Sequence, residues 1–126
     1  MTQKKRIITF LILFMAGFTV YAQTIMPDKI LGKWMNEDKS RVLEFLKTGS
    51  VYNAIVRKAE DESLIGRQQI TGLKANGDAY EGGTLNLFKR KKTARCTIRF
   101  INNDLLEIQG SYGVISKSQR WSRVHN

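Results

Sequence analysis

Only one cysteine and one histidine occur among the 126 residues. With Cys96 alone, no disulfide can form within the chain. Stability must therefore come from burial and strand pairing rather than from covalent loops. His125 is the penultimate residue, where chain ends fray. A zinc site built on paired histidines, a Ser-His-Asp triad and a Cys-His pair all lack their parts. No glycine-rich loop opens onto a helix, which removes the phosphate cradle of a helix N-terminus. Glu60, Asp61 and Glu62 are adjacent acids. They do not reproduce the spaced oxygen ligands of a calcium loop and read as a solvated turn. No metal or cofactor is expected, and no catalytic residue is assigned. An enzyme would need carboxylates that strand pairing brings together, such as Glu81 with Glu107.

Long apolar runs are missing too. The longest, Ile7 to Val20, spans 14 residues and is broken by Thr9, Gly17 and Thr19. A bilayer-spanning helix needs about 20. Lys4, Lys5 and Arg6 precede the run, and Val20-Tyr21-Ala22 follows it with small residues at the positions a signal peptidase reads. Residues 1–22 are therefore expected to be a cleaved signal peptide. Residues 23–126 are then a single domain, exported to the periplasm or the extracellular space. No cysteine stands directly after the run to carry a lipid. Removing the leader leaves 104 residues and lowers the net charge from +10 to +7, since the leader holds three cations and no acid. That excess suits anionic envelope components such as lipid headgroups or polysaccharides. Nucleic acid is a poor match for an exported chain.

What the domain has is a succession of short alternating runs between turn residues, the all-β pattern. The runs are 30–35, 41–47, 51–57, 65–73, 80–88, 94–100, 105–112 and 119–124. Thr48-Gly49-Ser50 and Asn76-Gly77 are hairpin signals. In the sixth run Cys96, Ile98 and Phe100 share one face, and Arg95, Thr97 and Arg99 the other. A slip of one residue would bury two arginines, so this register is strongly specified and predicts a buried thiol. Gly82-Gly83 lies inside a strand and marks a bulge of the kind that a closing barrel needs. Roughly eight strands at this spacing make a sandwich or barrel.

Five ordered motifs carry a resemblance: Ile30-Leu31-Gly32-Lys33-Trp34, Leu64-Ile65-Gly66, Glu81-Gly82-Gly83 after an aromatic residue, Gly110-Ser111-Tyr112-Gly113, and Gln119-Arg120-Trp121-Ser122-Arg123-Val124. Together they make the chain similar to the bacterial family called domain of unknown function 2147. The resemblance implies an exported, small, antiparallel up-and-down β-barrel of about eight strands, lipocalin-like, with no established activity. The chain departs from the family pattern at Tyr80, where the family tends to have Trp, at Gln109, where it tends to have Arg, and in the basic turn Lys89–Lys92. The resemblance further implies that Trp34 closes one barrel end beneath Arg123, with Trp121 as a third closure residue.

Two functions of different classes fit this reading. In one, the barrel is not an enzyme and holds a small lipophilic or amphipathic molecule. Tyr52, Asn53, Gln68, Asn86, Tyr112 and Gln119 are the candidate lining residues, being polar or amphipathic groups on otherwise apolar strands. In the other, the barrel is filled by its own side chains and its surface contacts another envelope component. The anion-attracting surface would then be Lys89, Arg90, Lys91 and Lys92 with Arg95 and Arg99. An enclosed space with converging polar groups would separate the two.

Overall fold

The computed structural model describes residues 27–125, and the expected signal peptide lies outside them. Eight strands follow in order: β1 (Gly32–Asn36), β2 (Val42–Thr48), β3 (Val51–Lys58), β4 (Gln68–Asn76), β5 (Ala79–Leu87), β6 (Lys92–Asn102), β7 (Leu105–Tyr112) and β8 (Ile115–Arg123). Each pairs antiparallel with the next. β8 returns to β1 through the register Trp34↔Arg123, closing the barrel. Closure gives each strand a partner on both sides over part of its length, while β8 before Trp121 meets no β1 residue.

Alternation explains the packing. Ala94, Cys96 and Ile98 of β6 are buried, while Arg95 and Arg99 are exposed. Tyr52, Ala54 and Val56 of β3 and Leu106 and Ile108 of β7 complete the same interior. The β5–β6 register shifts between Tyr80 and Gly83, so the paired glycines do mark a bulge. Gly82 there has φ 72°, a conformation that glycine adopts without strain. A Cβ on Gly83 would stand 2.6 Å from Leu73 Cδ2, so the neighbouring core leucine occupies the space a side chain would need.

Two elements differ from the sequence reading. β4 begins at Gln68 rather than at residue 65. Before it, Glu62–Leu64 form a 3₁₀ turn whose cap, Asp61, accepts from the Ser63 N–H, and Gly66 turns the chain with φ 90°. β8 begins at Ile115, four residues earlier than expected. Ser116, Lys117 and Ser118 show no apolar alternation because both sides of this stretch meet water.

Antiparallel order sends the turns after β2, β4 and β6 to one end of the barrel and those after β1, β3, β5 and β7 to the other. The first end is closed. The 3₁₀ turn Pro27–Ile30 lies across it, with Ile30 and Trp34 fully buried. Trp34 Nε1 donates to the Ile30 carbonyl at 2.8 Å. Tyr52 Oη donates to the Asp28 carboxylate, and Tyr80 Oη donates to the Pro27 carbonyl. Arg123 reaches the same segment, donating from Nη2 to the Lys29 carbonyl at 2.8 Å. Its guanidinium lies 4.3 Å from the Trp34 ring centroid, the closure expected from the family resemblance.

Candidate functional site at the barrel mouth

The opposite end is open. A cavity of about 500 Å³ enters it between the turns, large enough for one small ligand. Its inner wall is apolar and comes from alternate residues of the strands: Leu43, Ile70, Leu85, Ala94, Ile108 and Trp121. Gly110 contributes only backbone, and a Cβ there would stand 2.9 Å from Leu85 Cδ2. At this height the interior is not filled by its own side chains.

Polar groups gather nearer the rim. Arg41 donates from Nη1 to Gln69 Oε1 at 2.6 Å, and Gln69 Nε2 donates to the Asn86 carbonyl at 2.5 Å. Gln69 is thus satisfied although only 7% exposed, as a buried amide must be. Asp38 accepts from the Ser40 N–H and hydroxyl, contacts that hold its carboxyl below the usual range. Lys89, Arg90 and Lys117 complete the charged lining, so four cations with Arg41 face one acid, Asp38. Lys117 is the informative one. It shares a face of β8 with Gln119, Trp121 and Arg123, so a strand side that is aromatic deep in the barrel becomes cationic at the mouth.

Trp121 is the other unusual group. It is 5% exposed, lines the cavity, and its Nε1–H has no hydrogen-bond partner. Buried donors are normally paired, because leaving one unmade costs about 1–3 kcal/mol. A ligand acceptor in the cavity would remove that cost. The sequence reading placed Trp121 among the closure residues, whereas the structure places it on the cavity wall and leaves closure to Trp34 and Arg123.

The six candidate lining residues divide evenly. Asn86, Tyr112 and Gln119 line the cavity. Tyr52 does not; its hydroxyl is held by Asp28 at the closed end. Asn53 accepts from the Gly72 N–H at 2.9 Å, and Gln68 is exposed with its carbonyl accepting from Asn86 Nδ2 at 2.7 Å. Neither lines the cavity. The basic turn divides as well. Lys89 and Arg90 border the cavity, Arg95 is exposed on β6, and Arg99 is paired with Glu107 at 3.3 Å farther down the same strand. Arg41, Gln69, Phe88 and Lys117 were not singled out from the sequence. Tracing the turns that antiparallel order sends to one end would have found two of them, Arg41 and Phe88, since residues 37–41 and 88–91 are such turns. Cys96 is 1% exposed, and burial pushes its thiol up to about 12. Among the described residues, no group of three or more His, Cys, Asp or Glu could hold a metal ion.

Comparison with known proteins agrees with this architecture. A solved Helicobacter pylori protein, described as belonging to the lipocalin family, superposes with a TM-score of 0.64 at 20% identity, over 77% of this chain and 84% of its own. At that identity the likeness establishes the fold alone. No curated protein matches the chain. Apart from Ile30, Leu31 and Val124 at their outer ends, the motifs noted above fall within a family match that spans residues 32–123, and the chain belongs to that family, described as uncharacterized protein conserved in bacteria, the domain of unknown function 2147.

Proposed function

We propose that the barrel is an exported, non-enzymatic carrier that holds one small amphipathic molecule, with its apolar body against the inner wall and its polar end at the rim. The observation that carries this reading is the cavity itself: about 500 Å³ of unfilled space, apolar within and polar at its mouth. A barrel serving only as a scaffold would bury those inward positions against one another, because unfilled space forfeits packing. Among the described residues, the Pro27–Ile30 turn closes one end and leaves the mouth at the other as the way in. Four cations at the rim favour a polar end of negative charge.

Displacement of anilinonaphthalene sulfonate, an apolar dye with an anionic group, tests the reading. The dye is expected to bind and to be displaced by medium-chain fatty acids. Ala94→Phe places a ring in the cavity and should reduce both effects while the barrel still melts cooperatively. Organic extraction of protein purified from its native host should also release a bound amphiphile. Failure of the dye to bind, or binding unchanged by Ala94→Phe, would remove the carrier reading.

A further inference from the structure

The geometry points to a second property of the mouth, independent of what the cavity holds: the paired tips of the β5–β6 and β7–β8 turns form a docking surface for an anionic lipid bilayer. Among the described residues, the exposed large apolar side chains are Leu46, Ile65, Ile101, Tyr112, Val114 and Ile115. Four of these six stand at the mouth end, and three of those four sit on one hairpin. Val114, at its tip, is 103% exposed. A turn that only needs to be soluble has no use for valine and isoleucine there, least of all beside an opening. Gly113, with φ 60°, makes the tight turn that projects them.

The charge around this prong is of one sign. β6 pairs with β7, so the turn Lys89, Arg90, Lys91 and Lys92 lies beside the hairpin tip. Lys92 Nζ stands 5.2 Å from the Tyr112 ring centroid, which joins the two tips directly. Lys117 adds a further cation from the other side. No acid occurs between Glu81 and Asp104, and none follows Glu107. The other two mouth turns are different, since they carry Glu37, Asp38, Glu60, Asp61 and Glu62. The patch is therefore a local feature and not a consequence of the overall positive charge. Apolar side chains that enter the headgroup boundary, ringed by lysine and arginine, are the chemistry by which peripheral proteins hold anionic membranes. The surface also includes the rim, so docking would bring the cavity against the acyl layer.

Sedimentation with vesicles tests this, using protein purified from its native host. Binding is expected to vesicles of phosphatidylglycerol mixed with phosphatidylethanolamine, to be absent with phosphatidylcholine alone, and to weaken with salt as the screening length falls from about 10 Å at 0.1 M. Each cation near such a surface strengthens binding roughly fivefold. Lys91→Ser with Lys92→Ser should therefore weaken it by more than about tenfold, whereas Lys33→Ser with Lys74→Ser, toward the closed end, should change it little. Val114→Asp should weaken binding and Val114→Trp should strengthen it, opposite effects that misfolding cannot produce. Equal losses from the two lysine pairs, or no response to either Val114 variant, would overturn the proposal. So would equal binding to an anionic polysaccharide, or a dimer that Val114→Asp dissolves.

Discussion

The guanidinium of Arg123, on the last strand, lies 4.3 Å from the ring centroid of Trp34, on the first, and the two residues are also register partners. Arg123 additionally donates to the carbonyls of Leu31 and Lys29, at 3.4 and 2.8 Å, and Trp34 donates to that of Ile30. One contact thus joins the barrel seam to the plug at its closed end. Trp34→Ala should lower stability by about 3–5 kcal/mol, the usual cost of removing a large core aromatic. In a cycle with the milder Trp34→Phe and Arg123→Met, the coupling should be about 0.5–2 kcal/mol, the range of a partly desolvated cation–π contact. Denaturant melts of the four proteins measure it. Additive losses would mean that the seam and plug are held independently.

High pH should act through Tyr52 and Tyr80 at the same end and through Cys96 midway along β6. Burial raises each of them to about 12, from 10 for the phenols and 9 for the thiol, and the Asp28 carboxylate adds to the effect at Tyr52. The folded barrel keeps all three neutral at a pH where the unfolded chain ionises them. Their contribution is thus complete below about pH 9 and is lost as pH rises from there through 12. Melting temperature should fall steeply across that window. Tyr52→Phe should flatten the fall, because phenylalanine has no proton to lose. The same variant removes the hydrogen bond that chiefly holds Asp28 below 3.8. Carboxyl NMR should then show the Asp28 midpoint moving up, so that its contribution is lost at a higher pH on acidification.

Cys96 gives a simpler test. It is 1% exposed on the inward side of β6 and its thiol is pushed up to about 12. Thiolate is the reactive form and is nearly absent at neutral pH. A disulfide reagent at pH 8 should leave the native protein unmodified over hours and label it fully in denaturant. Rapid labelling of native protein would mean that β6 opens or sits in another register.

The legible parts of the fold were those where side-chain type alternates sharply. Cys96, Ile98 and Phe100 against Arg95, Thr97 and Arg99 leave one register, and β6 has it. Ser116, Lys117 and Ser118 hide the first half of β8, because a strand lining an open mouth is wet on both faces. The candidate site was half legible for a related reason. Alternation says whether a residue points inward but not how high it stands along the barrel axis, which register and strand tilt decide. Tyr52 and Tyr112 are both tyrosines on alternating strands, yet one caps the closed end and the other stands at the mouth. Gln69 was hidden differently. It is a polar residue buried beside Ile70, where the β3–β4 register shifts, so no simple alternation marks it.

The last prediction concerns the only two tryptophans, whose indole N–H groups give separate NMR signals. That of Trp34 is already bonded to the Ile30 carbonyl at 2.8 Å in the closed end and should ignore events at the mouth. That of Trp121 is buried, unpartnered and part of the cavity wall. An occupant with an acceptor within reach of the wall would pair with it and move its signal downfield. Decanoate and decane, alike in chain and different in acceptor, are suitable probes. Decanoate should shift the Trp121 signal strongly and the Trp34 signal hardly at all. Decane should change the ring environment of Trp121 without the downfield movement of a new hydrogen bond. Trp121→Phe keeps an aromatic wall and removes the donor. It should weaken decanoate about fivefold, the equivalent of roughly 1 kcal/mol for one hydrogen bond, and leave decane nearly unaffected. If saturating decanoate moves neither signal, the cavity does not take an amphiphile. If both move together, the probe is loosening the whole barrel, and the unpartnered donor has no part in recognition.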